Sequence, residues 1–344
     1  MKVSIMTDIK QLEFTERAVP AVGPQDVLVK VEAVGICGSD LHYFEHGRIG
    51  NYIVKPPFVL GHEASGVVVE VGPEVTHLKV GDRVALEPGI TCGECEFCKS
   101  GKYNLCPDVV FFATPPVDGV LQEYVAHPAA LSFKLPEHLT ALEGAMVEPL
   151  AVGLHAAKQG QAAIGQTAVV TGTGCIGLMS LLALKAVGIS KVIVVDVIDK
   201  RLAKARELGA FATINAATED VVARVLELTY GKGCDLVIET AGLASTTNQA
   251  IQYVKKGSHI VLVGYSKEGH RDLQVELAMD KELTFDTVFR YRHLYPLAIE
   301  AIASGLIPVR DVVTHEFEFD DVQRAFTESL ENKADIVKSV VYIR

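Results

Sequence analysis

Thr167-Ala168-Val169-Val170-Thr171-Gly172-Thr173-Gly174-Cys175-Ile176-Gly177 is the stretch that decides how this chain is read. Five residues, four of them β-branched, form a short apolar strand. A G-x-G-x-x-G turn follows, and then a helical run from Cys175 to Val187. Gly172 makes the turn, Gly174 lets the backbone approach a pyrophosphate, and Gly177 lets helix and strand pack closely. The free N–H groups at the helix start suit phosphate oxygens. An acidic residue is then expected at the end of the next strand, and Asp196 closes Lys191–Asp196. Its carboxylate favours a ribose diol and repels a 2′-phosphate, which predicts NAD as the cofactor. Arg201 is the opposing signal, read here as a contact to the ribose or the adenine edge.

Working outward, the pattern repeats. A helix is predicted at Leu150–Lys158 and another at Asp199–Leu208. Helix Val221–Leu228, strand Asp235–Thr240, helix Ser245–Val254 and strand His259–Val263 continue the alternation. Strand and helix in turn predict a doubly wound parallel sheet. Residues 1–88 have a different texture. Val27–Val34, Val67–Val71 and Gly81–Leu86 are β-branched runs punctuated by Gly and Pro, which predicts a small barrel or sandwich. Strand-like pieces recur at Gln122–Ala126 and Leu131–Leu135. Past Val288 come a helix, Leu294–Ser304, and a last strand, Ile336–Ile343, which is expected to rejoin the first part.

The totals agree with two domains. The chain has 344 residues, 49% hydrophobic and 22% charged, with 29 glycines. A net charge of −11 argues against a nucleic-acid surface and an anionic membrane surface. Apolar runs such as Ile176–Leu184 are too short to span a bilayer, and Met1–Ile5 leads into polar sequence without an apolar leader. Four of the seven cysteines, Cys92, Cys95, Cys98 and Cys106, fall within fifteen residues. Two-residue gaps let a backbone wrap one tetrahedral zinc, with Gly93 and Gly101 easing the turns; two disulfides or four idle thiols are the alternative. A four-thiolate set leaves no open position, so this zinc is expected to be structural. The odd cysteine count and the metal spacing predict a reducing, cytoplasmic compartment.

A second, open site is suggested by Cys37-Gly38-Ser39-Asp40-Leu41-His42 and by Gly61-His62-Glu63. Cys37, His62 and one carboxylate make three ligands with a fourth position left for water or substrate. Glu148, in Met146–Leu150, lies at the expected domain junction and is a further candidate.

These motifs resemble those of the zinc-dependent medium-chain dehydrogenases, and more narrowly the sorbitol/xylitol (polyol) dehydrogenases. The residues that carry the likeness are Ile36–Tyr43, Gly47–Tyr52, Val59–Gly66, Phe112–Pro116 and Val288–Tyr291. The resemblance implies a GroES-like β-barrel catalytic domain at 1–152, with its structural zinc loop at 92–106. It implies a Rossmann coenzyme domain at 153–289 and a segment at 290–344 returning to the catalytic domain.

The same resemblance implies Cys37, His62 and Glu63 as catalytic zinc ligands, and Glu148 as holding the water at the metal or approaching it. Ser39 and His42 would form the proton relay. Tyr43, Phe112, Glu148, Arg290 and Tyr291 would hold the polyol, and Gly172, Gly174, Ile176, Gly177, Asp196 and Arg201 the NAD. One catalytic and one structural zinc per chain and a homotetramer are further implications. The expected reaction is oxidation of sorbitol or xylitol to the ketose, with hydride passing from a zinc-bound alkoxide to the nicotinamide. Dehydrogenases of the same fold acting on L-arabinitol, butanediol or threonine are the near alternatives; a non-catalytic NAD-binding protein is the distant one.

Overall fold

The computed structural model describes residues 1–266 and 269–344. The chain divides into two compact units. One comprises Met1–Glu148, Tyr295–Gly305 and Val313–Arg344; the other comprises Pro149–Leu294 and Leu306–Val312.

The first unit is organised on one long strand, Asp26–Ile36. Val27, Val29 and Val31 alternate into the core and are fully buried. Glu63–Val71 pairs antiparallel along nearly the whole strand, with register shifts at Leu28/Val29 and Val31/Ala33. Two partners share the opposite edge. Tyr124–Pro128 takes residues 26–30, and Ser339–Tyr342 takes residues 33–36. Arg83–Leu86 and Ser132–Lys134 extend the sheet on one side, and His315–Glu318 pairs parallel with Ser339–Tyr342 on the other. Phe44, Leu60, Leu86 and Phe326 fill the core. Each such side chain contributes roughly 1.5–3 kcal/mol by leaving water. A separate hairpin, Lys2–Asp8 with Gln11–Glu16, has no counterpart in the sequence reading.

The second unit holds the expected parallel sheet, six strands in the order Ala212–Asn215, Lys191–Asp196, Thr167–Thr171, Cys234–Glu239, Val254–Leu262, Thr284–Thr287. In chain order this is 3-2-1-4-5-6, the dinucleotide-binding arrangement, with the direction of winding reversing beside Thr167–Thr171. Val169, Val170, Ile193, Val194, Val237 and Ile238 are fully buried, as a sheet covered on both faces requires. Several boundaries differ from the sequence reading. The first helix of this region is Val147–Gln159, starting before Pro149, because a proline in the first helical turn forfeits no intrahelical bond. The strand predicted from His259 begins at Val254. The short edge strands Ala212–Asn215 and Thr284–Thr287 have too few apolar residues to stand out.

Candidate functional site

Cys37 stands at the N-cap of helix Gly38–His46, immediately after the long strand. His62 precedes strand Glu63–Val71, and Glu63 opens it. The two strands are neighbours with Gly35 opposite Glu63, and this pairing brings the three side chains together. One donor atom from each of Cys37, His62 and Glu63 lies within 4.8 Å of the other two. Zinc bonds of about 2.0–2.3 Å place tetrahedral ligands about 3.3–3.8 Å apart, so small side-chain rotations fit this set to one ion. Glu148, buried in the same unit, does not belong to the cluster.

Asp40 ties the site together. Its carboxylate accepts from the backbone N–H groups of Cys37 (3.1 Å) and Gly61 (3.0 Å), and His62 Nδ1 lies 3.5 Å from Oδ1. Burial opposes ionisation of Asp40, yet His62 and these N–H groups hold its pKa below the usual range. Burial likewise opposes charge on His62, but Asp40 and Cys37 outweigh it and raise the imidazole pKa well above its ordinary value. The pocket therefore draws in positive charge, as a metal centre of thiolate, imidazole and carboxylate should. Sequence reading passed over Asp40, which lies inside the Cys37–His42 motif; its tie to Gly61 links two separate stretches of chain.

Glu63 has a second partner that sequence reading missed. Lys338, from the C-terminal segment, forms an ion pair with Glu63 Oε2, and each side chain is 1% exposed.

Ser39, His42 and Tyr43 lie on the Gly38–His46 helix. Ser39 and His42, three residues apart, share a helix face and are half-buried. Tyr43 is buried, its ring 6.5 Å from that of Phe58. Phe112 is buried with its ring 4.8 Å from His127, whereas the preceding Phe111 has its ring 5.8 Å from His62. Phe111 is thus an aromatic beside the metal cluster that the sequence reading left out. Arg290 and Tyr291 belong to the second unit, where Tyr291 is buried and Arg290 lies over the Phe289 ring.

The four-cysteine loop also fits its ion. The donor sulfurs of Cys92, Cys95, Cys98 and Cys106 lie within 4.8 Å of one another. Cys92 Sγ is 3.5 Å from Cys106 Sγ and 3.9 Å from Cys98 Sγ, close to the edge of about 3.8 Å of a zinc–thiolate tetrahedron. These separations exclude disulfides, whose sulfurs are about 2 Å apart. Backbone N–H groups of Cys95 and Cys98 donate to Cys92 Sγ and Cys95 Sγ, which favours a thiolate at each, but at Cys95 burial and the hydrogen bonds with the Cys98 and Cys92 sulfurs outweigh this and raise the pKa. Backbone hydrogen bonds from Cys95 and Glu94 lead in bringing the Cys92 pKa down to about 7. Gly93 and Gly101 both adopt left-handed φ, at 72° and 74°.

In the second unit, Thr171 pairs with Val195 and Glu239, so the glycine turn and Asp196 meet at one end of the sheet. Gly172 has φ 92°, and a Cβ on Gly177 would lie 1.9 Å from Gly172 O. A Cβ on Gly174 would meet no protein atom within 4 Å. Protein packing therefore does not demand glycine at 174, and the open approach matches what a pyrophosphate needs. Asp196 accepts four hydrogen bonds. Thr173 N (2.7 Å) and Thr173 Oγ1 (2.5 Å) donate to Oδ2; Val197 N (2.7 Å) and Ile198 N (3.0 Å) donate to Oδ1. Burial of Arg201 disfavours its charge, which Asp196 supports.

Comparison with known proteins agrees with both halves. The family model described as alcohol dehydrogenase GroES-like domain matches residues 23–137, and that described as zinc-binding dehydrogenase matches 175–304. An uncharacterized zinc-type alcohol dehydrogenase-like protein of Escherichia coli K12 is 46% identical, over 96% of each chain. A sorbitol dehydrogenase of Bacillus subtilis is 41% identical over 99% of this chain and 97% of its own. The crystal structure of an Escherichia coli oxidoreductase/dehydrogenase of unknown specificity superposes with a TM-score of 0.96 at 44% identity, covering 100% of this chain and 99% of that one. Likeness at this level over essentially the full length shows that the chain belongs to the zinc-dependent medium-chain polyol/alcohol dehydrogenase family.

Proposed function

We propose that this chain is a cytoplasmic NAD-dependent polyol 2-dehydrogenase, oxidising sorbitol to fructose or xylitol to xylulose. The observation that carries this reading is the Cys37–His62–Glu63 cluster, in which a carboxylate completes the donor set. The 41% identity to a sorbitol dehydrogenase over 99% of the chain supports the substrate class.

Zinc held there would supply the Lewis acidity that lowers a hydroxyl pKa, and NAD would supply the hydride acceptor. Cys37, His62 and Glu63 hold the metal and leave one position open. Ser39 and His42, on one helix face and partly exposed, carry the released proton outward, with Glu148 as a buried carboxylate that takes part in proton handling. Tyr43, Phe112, Glu148, Arg290 and Tyr291 bind the polyol: a substrate with many hydroxyls needs many polar partners, and Phe112 supplies an apolar wall. Gly172, Gly174 and Gly177 shape the pyrophosphate cradle, Ile176 packs on the cofactor, and Asp196 and Arg201 serve the adenosine ribose. The four-cysteine loop braces the first unit with a structural zinc, giving two zinc ions per chain. The assembly is a homotetramer. Among the described residues, no helix is long and apolar enough to cross a membrane.

The test is a substrate panel on the purified protein with its metal content measured. Sorbitol, xylitol, L-arabinitol, butanediol and threonine are each assayed with NAD and with NADP. Sorbitol or xylitol with NAD should give the highest kcat/KM; a preference for threonine or for NADP overturns the corresponding part of the reading.

A further inference from the structure

Lys338 is a buried cation placed against a metal-ligand carboxylate. It sits one residue before strand Ser339–Tyr342, which pairs with the end of the long strand at Ser339 opposite Ile36 and Val340 opposite Gly35. This pairing delivers the lysine to the place where the long strand runs into Cys37. Its Nζ donates to Ile36 O at 3.0 Å, next to one metal ligand, and to Oε2 of Glu63, another. Gly35 completes the arrangement. A Cβ there would lie 2.0 Å from Glu63 Oε2 and 3.1 Å from Lys338 Cε, so the main chain leaves room for this pair and for nothing more.

A buried lysine is costly unless its charge is matched. With a metal bound and His62 neutral as its ligand, Cys37 as thiolate, Glu63 and Asp40 put three negative charges at one site. A divalent cation and Lys338 together neutralise them. The lysine and the metal therefore compete for the same carboxylate, and the lysine already holds one of its two oxygens.

We propose that Lys338 is a positioning residue for Glu63. By holding Oε2 it leaves the carboxylate a single oxygen for the metal and weakens that bond, so that Glu63 is the readily displaced member of the ligand set. This inference rests on the assignment of Cys37, His62 and Glu63 as metal ligands, and it is independent of which alcohol is the substrate.

The probe is Co²⁺, exchanged for zinc in the full-length protein. Cys37→Ser first tests the site, and it should retain one metal equivalent per chain fewer than wild type. Equal metal content would overturn the ligand assignment and this inference with it. With that assignment in place, Lys338→Met frees Oε2 for the metal. Its visible Co²⁺ bands should lose intensity, as coordination number rises above four. Affinity measured by chelator competition should tighten at least tenfold, and Lys338→Arg should restore the wild-type values. A Lys338→Met protein with wild-type bands and unchanged or weaker metal affinity would show that the lysine merely joins strands, and only the present inference would fall. Should Lys338→Met not fold, a crystal structure of the zinc-loaded wild type decides. Nζ on Oε2 with at most one Glu63 oxygen on zinc upholds the proposal; both oxygens on zinc overturns it.

Discussion

Thr173 gives Asp196 two hydrogen bonds on a single oxygen, one from its backbone N–H at 2.7 Å and one from its hydroxyl at 2.5 Å. Val197 and Ile198 take the other oxygen. Four donors match the roughly four lone-pair directions of a carboxylate. Three of them are backbone groups and cannot leave; the Thr173 hydroxyl can rotate and yield to a ribose hydroxyl. The charge of Asp196, more than a vacant acceptor, is then what discriminates against a 2′-phosphate. Asp196→Ala should lower the NAD/NADP ratio of kcat/KM by about tenfold or more, the scale of one charge-assisted hydrogen bond. Thr173→Val keeps the charge and three donors, and should hold that ratio within about threefold. Steady-state kinetics with both cofactors measures the difference, and equal losses in the two variants would count against the charge argument.

Cys37→Ser removes the thiolate from the Cys37–His62–Glu63 set while leaving its position at the helix N-cap. Turnover should fall at least about 100-fold, the scale of a Lewis acid's contribution. Far-ultraviolet circular dichroism should be unchanged. A variant with near wild-type kcat would show that the reacting metal lies elsewhere.

Cys95→Ser opens the closed thiolate set and removes the sulfur that receives the Cys98 N–H. The Cys92–Cys106 loop has little apolar core of its own, with Leu105 39% exposed, so metal binding supplies most of its order. Unfolding free energy should drop by about 2 kcal/mol or more. The kcat of the fraction that remains folded should stay close to wild type. Stable protein with abolished hydride transfer would reverse the division of labour between the two metal sites.

Glu87 provides a pH test. It is buried where strand Arg83–Leu86 ends; burial raises its pKa to about 7, against which the Tyr103 hydroxyl at 2.7 Å acts only partly. The folded protein therefore keeps a proton that the unfolded chain releases near pH 4.5. Stability from this group is fullest below pH 4.5, declines as pH rises, and is lost by about pH 7. Glu87→Gln keeps an acceptor for Tyr103 and removes the charge. Relative to wild type it should gain about 2–3 kcal/mol at pH 8 and little near pH 5. Urea unfolding of both proteins at the two pH values measures this, and an equal difference at both would mean that Glu87 does not titrate in that window.

Much of the chemistry was legible because it is written in short, contiguous patterns. The glycine turn with its flanking strand and helix needs only neighbours in sequence, and Lys191–Asp196 and Val221–Leu228 match the structure to the residue. The cysteine loop also folds on itself, with glycines at its left-handed positions. Edge strands such as Thr284–Thr287 were missed because sheet pairing forms them, with no strong apolar run of their own. Val254 was read as the end of a helix, and Lys255-Lys256-Gly257 has no apolar run to mark the start of strand Val254–Leu262.

The sequence by itself determined the two kinds of architecture, the candidate donors for both metals and the dinucleotide turn, because each depends on residue type and local spacing. Tertiary structure alone decided which groups act on those donors. Glu63 and Lys338 are 275 residues apart, and only the pairing of Ser339–Tyr342 with Asp26–Ile36 joins them. Asp40 meets Gly61 and His62, and Thr173 meets Asp196, for the same reason. A buried charge is matched by whatever the fold brings within reach, and strand register, not sequence spacing, sets that reach.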